Sequence, residues 1–149
     1  MTRWWLGGVL AAGAAAVWTT HAAAQRRTPI TVTRLYTGSD GLTHAEEMDV
    51  KLAPWGKLGV QERSDTITVS GLQFERSSPA RADDWHTASR RQYVITVSGK
   101  AEIELTGGRK ILLEPGRILL AEDTTGKGHL TRTVGGEDWI AVVVPKTGD

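Results

Sequence analysis

Six side chains that could do chemistry stand in two short stretches. "DWHTASRRQYVITVSG" (84–99) carries His86, Arg90 and Gln92, and "AEDTTGKGHL" (121–130) carries Glu122, Asp123 and His129. An imidazole exchanges protons near neutral pH, so His86 and His129 are candidate acid–base groups. The structural alternative is that both rings fill space and bond to backbone carbonyls. A guanidinium in a partly dry hollow suits a carboxylate, an enolate or a phosphate, held through two parallel hydrogen bonds. That assigns Arg90 to ligand binding, with pairing to Glu122 or Asp123 as the structural alternative, since buried arginines are nearly always paired. Extended chain sends alternate side chains to opposite faces, so His86, Arg90 and Gln92 should share one side and Arg91 and Tyr93 the other. By the same rule only one of Glu122 and Asp123 can face a common hollow.

The elements that must hold these groups are strands. Segments 30–36, 44–52, 65–77, 91–99, 100–105, 109–115, 117–123, 129–135 and 139–145 are short and β-rich, and most alternate apolar and polar residues. Glycine- and proline-bearing turns separate them. "THAEEMDVKLA" begins with a helix-capping pattern, Thr43 with Glu46 three residues on, but its later alternation favours extended chain. The spacing predicts a closed or two-layered antiparallel structure of about 8–10 strands. Hairpins are expected at Ser98-Gly99-Lys100 and at Thr106-Gly107-Gly108, followed by a corner at Pro115-Gly116. "TTGKG" lacks the strand-to-helix setting of a phosphate loop and is expected to form a flexible lip.

Residues 65–145 resemble the cupin superfamily. Its first motif is His-x-His-x-x-x-Glu, six residues, then Gly; the corresponding positions here are His86, Ala88, Gln92 and Gly99. Its second motif has a Pro/Gly turn, a strand and a later histidine, matched by Pro115-Gly116, "RILLAED" and His129. "AEDTTGKGH" is similar to one branch of small single-domain cupins. The resemblance implies an all-β jelly-roll barrel with antiparallel strands. It also implies a divalent metal (iron, manganese, nickel, copper or zinc) held by His86, Gln92 and His129. Two substitutions weaken that ligand set: Ala88 replaces a histidine, and Gln92 replaces a carboxylate. Arg90 beside the ion would oppose it further. His44, in "THAEE", could return a ligand from an early strand.

The chain's start reads differently. Residues 1–24 have one basic residue, Arg3, then an apolar stretch from Trp4 to Trp18, then Ala22-Ala23-Ala24, as a secretory signal with its cut after Ala24 does. The alternative is a retained anchor, for which the stretch is short. Residues 25–149 are then one barrel domain, exported to a periplasmic or extracellular space. Removing Arg3 leaves equal numbers of acidic and basic residues, out of 17 acidic and 18 basic in the whole chain. A neutral surface gives no basic footprint for nucleic acid and no polybasic membrane patch. No cysteine is present, which excludes disulfides and thiol chemistry.

Three functional readings follow. In the first, the barrel binds a small acidic or polar molecule, with isomerase-, cyclase- or lyase-type proton transfer by the histidines. The second is a metal-dependent, dioxygenase-like enzyme. The third is a non-catalytic binding or interaction module. A homodimer is an expected assembly, because cupins often pair through edge strands.

Overall fold

The computed structural model describes residues 27–58 and 60–148. The expected leader, residues 1–24, and its cleavage point lie outside these. Among the described residues there is no helix. There are eleven strands: β1 Thr31–Thr37, β2 Thr43–Asp49, β3 Ala53–Trp55, β4 Gln61–Arg63, β5 Gln73–Ser77, β6 Gln92–Ser98, β7 Lys100–Glu104, β8 Lys110–Leu113, β9 Ile118–Glu122, β10 Leu130–Val134 and β11 Trp139–Pro145. Six form one sheet in the order β2-β1-β9-β6-β11-β5, three form a second, β10-β7-β8, and β3-β4 is a separate two-stranded ribbon. The architecture is all-β and jelly-roll in kind. Its pairings are antiparallel except β1 with β9, which is parallel. That one pair departs from the uniform antiparallel expectation.

One core lies between the two larger sheets. Leu35, Val94, Leu119, Ala141 and Val143 come from the six-stranded sheet, and Ala101, Ile103, Ile111 and Leu113 from the three-stranded one. In β11 the burial alternates strictly, with Trp139, Ala141 and Val143 facing the core. Alternation is what lets one strand serve two environments.

The chain crosses between sheets at one of the two turns where a hairpin is expected. β6 and β7 flank Gly99 but belong to different sheets and do not pair. Gly99 takes φ +67, and a side chain there would run into the carbonyl of Asp138. The turn therefore carries the chain across the core rather than back along β6. The β7–β8 hairpin at Thr106-Gly107-Gly108 is present as expected. Pro115-Gly116 then returns the chain to the first sheet.

Segment 65–77 is strand only from Gln73. Residues 65–72 are exposed and join a sheet at a single bridge, Val69 with Lys146. Alternating residues need a sheet edge to become a strand, and here only the last part finds one, against β11. Residues 81–88 cover the free edge of β10 without forming a regular strand. Asp83 N–H donates to Thr131 O (2.9 Å), and Thr133 N–H donates to Arg81 O (3.0 Å).

Gly99→Ala should cost about 3 kcal/mol or more, through a left-handed backbone and a backbone collision together. Gly107→Ala, also at positive φ but in open space, should cost about 1 kcal/mol. Denaturant unfolding of both variants checks this; equal losses would mean that the crossing at Gly99 is not tight.

Candidate functional site

The site begins with a backbone contact. His86 N–H donates to His129 O (2.9 Å), and His129 N–H donates to His86 O (2.8 Å). Two residues distant in sequence thus face each other, with ring centroids 4.7 Å apart. Gly128 makes the approach possible. It takes φ +74, and any side chain there would overlap the His86 carbonyl.

His129 is buried, and its Nδ1 lies 2.6 Å from Asp123 Oδ2. Asp123 has no exposed surface. Its Oδ2 also accepts from Thr43 Oγ1 (3.0 Å), while its Oδ1 is buried with no partner among the described residues. His86 Nδ1 lies 2.8 Å from the Asp84 carbonyl. A carbonyl only accepts, so His86 carries its proton on Nδ1. With Asp123 accepting in the same way, His129 also carries its proton on Nδ1. In this tautomer an uncharged ring presents its lone pair on Nε2.

Both rings line a cavity of about 220 Å³ between the sheets. Gln92, Thr131, Glu75 and Arg81 are its other principal polar lining, and Val94, Ile103, Leu119 and Trp139 supply apolar wall. Trp139 is fixed by its Nε1–H donating to Thr96 Oγ1 (3.1 Å). The structure therefore brings together His86, His129 and Gln92, with Asp123 behind His129.

Arg90 is placed elsewhere. It donates to Gln73 Oε1 (2.6 Å) and Gln92 Oε1 (3.4 Å), and it lines an adjoining surface hollow that shares Glu75, Ser89 and Gln92 with the cavity. Two-residue alternation needs continuous extended chain, but residues 89–91 are bends. They take Arg90 out of the alternation before β6 restores it at Gln92. Glu122 is on the opposite face from Asp123. It accepts from Arg34 Nε (2.7 Å) and from Arg91, with Lys146 Nζ 3.9 Å away. Burial works against its ionisation, yet the hydrogen bonds from Arg91 and Arg34 hold its carboxyl below the ordinary glutamate value. His44 pairs with Asp40 (3.0 Å) and lines a different hollow. The "TTGKG" lip is pinned: Thr37 Oγ1 donates to Thr125 O (2.9 Å), and Lys127 N–H donates to Gly41 O (3.0 Å).

The arginine that does line the cavity, Arg81, was not singled out by the sequence. Asp83 takes hydrogen bonds from its Nε (3.0 Å) and Nη2 (2.6 Å); Glu75 Oε1 (2.6 Å) and Ser77 Oγ (2.8 Å) take them from Nη1. The Asp83 bond is the chief reason the Arg81 pKa is raised, and the same bond holds Asp83 below its ordinary value. Its charge is therefore matched within the protein. "ARADD" does hold an arginine two residues before an acid, but that spacing is too common to mark a site. Thr43 and Asp123 are 80 residues apart, and no local pattern links them.

The expected metal ligands do not make a convincing ion site. They offer two imidazole nitrogens and an amide oxygen. The carboxylate lining the cavity, Glu75, is held by Arg81, and among the described residues no group of three His, Asp or Glu is placed to hold an ion.

No protein-family model matches the chain, and no curated protein matches it. Among solved structures it is similar to protein NMB1881 from Neisseria meningitidis, at 15% identity over 60% of this chain and 92% of that one. It is also similar to the conserved protein SPY1581 of unknown function from Streptococcus pyogenes, at 16% identity over 58% and 72%. A cupin-2 domain containing protein from Shewanella frigidimarina aligns at 12% identity over 60% and 88%. Each alignment has a TM-score of 0.41. The chemistry of the cavity rests on this chain's own residues.

Glu122 has a testable structural role. Its depressed carboxyl pKa means the Arg34–Glu122–Arg91 cluster adds stability above the ordinary glutamate value of 4.5, and that stability is lost as the pH falls below it. Glu122→Gln should cost roughly 1–2 kcal/mol near neutral pH, after allowing for the half-exposed arginines. It should also flatten the loss of unfolding free energy on acidification. An acid limb as steep as that of the parent protein would show that Glu122 does not carry it.

Proposed function

We propose that the chain is an exported, cupin-type binding protein whose inter-sheet cavity takes a small polar molecule. The reading rests on one observation: His86 and His129 are held side by side at a cavity, their ring planes tilted by 60°, each with Nε2 free of protein partners among the described residues. Two nitrogen lone pairs favour a ligand that donates hydrogen bonds. The cavity of about 220 Å³ is below the range of ~300–1,000 Å³ usual for drug-sized ligands, so the ligand is small. Arg81 is matched by Asp83 and Glu75, so no spare cation draws a carboxylate inward. This favours a neutral or cationic hydroxylated molecule over the acidic ligand expected from Arg90.

Acid–base chemistry is the extension of this reading. His129 Nε2 takes a proton from a ligand O–H or acidified C–H, forming an imidazolium whose charge Asp123 stabilises without itself taking the proton. Returning that proton at another atom is an isomerisation; expelling a leaving group from the carbanion is an elimination. A positioned base of this kind is worth about 10²–10⁴ in rate. Gln92 and His86 orient the ligand. Export follows from the leader-like start of the chain.

Thermal unfolding against a panel of small polyols, sugars, amino alcohols and hydroxy acids tests the binding. A ligand at 100 times its Kd should add about 2.7 kcal/mol to stability. The shift should vanish in a His86→Ala, His129→Asn double variant and persist in Arg90→Ala. A shift lost only with Arg90 would move the site to the outer hollow. Absence of any response across the panel would remove the binding reading.

A further inference from the structure

The six-stranded sheet has a second apolar face, turned away from the core. Register places Val32, Ile118, Ile95 and Val142 in one row across it. A sheet face left to water is normally polar. Farther along the same face the chain does place charge, at Arg34 and Glu122, so the apolar row is local.

That row lies under a strap, residues 50–58 and 60–69, fastened at both ends. Val50 N–H donates to Ile30 O (2.8 Å), and Thr147 N–H donates to Thr68 O (3.1 Å) beside the Val69–Lys146 bridge. Between the fastenings the strap arches away as the β3–β4 ribbon. It leaves a hollow of about 600 Å³, walled by Val32, Ile95 and Ile118 below and by Leu52, Ile67 and Val69 above. The strap residues remain 37%, 45% and 42% exposed. Two apolar walls face each other without closing, which is how a site for an apolar guest is built.

The rim decides the guest's charge. Glu62 is paired with Arg27 (2.7 Å), Arg63 lies over the Trp55 ring (3.2 Å to its centroid), and Asp65 also lines the hollow, so two acids stand against two arginines. Neither sign is in excess. We infer that this hollow is a second binding site, for an uncharged, mainly apolar small molecule of aromatic or branched aliphatic kind. Its volume falls within the ~300–1,000 Å³ typical of ligand sites. It is independent of the histidine cavity, which opens on the other face of the same sheet.

The uncharged fluorophore N-phenyl-1-naphthylamine, titrated into the full chain, is the probe. It should bind saturably, at one equivalent per chain, with blue-shifted emission. Leu52→Glu and Ile67→Glu, both on the exposed strap and outside the core, should each weaken it at least tenfold. Ile95→Phe, which fills the hollow from below, should do the same. Phe74→Ser, an 80% exposed position on β5 outside the hollow, and His129→Asn should leave it unchanged. Binding of several equivalents, or binding indifferent to the strap variants, overturns the inference. So does absence of binding, whether sedimentation then shows a dimer or a monomer.

Discussion

Two backbone hydrogen bonds between residues 86 and 129 are the constraint on which the candidate site depends. They set two imidazoles side by side with no side-chain contribution, so the pairing survives any ligand the rings later meet. What they require is steric: the chain after the lip must come against the His86 carbonyl, and only a glycine at 128 permits that approach. Asp123 then completes the arrangement from the end of β9, because Ala88 N–H donates to its carbonyl (3.1 Å) while its side chain reaches His129. A loop edge, a strand end and a lip are thereby held in one place. A buried carboxylate with one unpartnered oxygen is costly to fold around. It is consistent with an arrangement kept for its effect on the neighbouring ring rather than for stability.

Charge is sorted by face. On the outer side of the six-stranded sheet, Arg34, Arg91 and Lys146 gather around Glu122. On the inner side, Arg81 is tied to Asp83 and Glu75. The chain is nearly balanced in charge as a whole; in the fold the charges meet in local clusters, three cations around Glu122 and two acids around Arg81. That is why the cavity's selectivity is proposed to come from imidazole lone pairs and from size. It is also why an arginine near the motif is a poor guide to ligand charge.

Much of the architecture was legible because alternation is a local signal. β1, β6 and β11 end within a residue or two of their expected positions, since residues such as Val94 and Val143 need a core on one side. The ribbon of β3 and β4 was not legible, because "APW" and "QER" are exposed and carry no pattern of burial. The turn at Gly99 shows the limit from the other side. A glycine at positive φ announces a reversal, but whether the chain returns along its own sheet or crosses to the facing one depends on Asp138, far along the sequence. At the site, His86, Gln92 and His129 were legible from motif spacing, whereas Arg90 was misplaced because three bends interrupt the two-residue period. Arg81 and Thr43 were missed because their partnerships exist only once the chain is folded.

The same periodicity ties the two hollows together. In β6, Gln92 and Val94 face the histidine cavity, while Tyr93 and Ile95 face the strap. In β9, Leu119 and Ala121 face inward and Ile118 outward. Each of these strands carries apolar residues on both sides, as strands covered on both faces do. The contrast between the two faces is then too small to fix the register, and a slip of one residue would exchange the linings of the two hollows. Register must come from elsewhere. The crossing at Gly99, the corner at Gly116 and the paired arginines on Glu122 are where the structure supplies it. Features that look peripheral to either hollow are thus what keeps the two linings distinct.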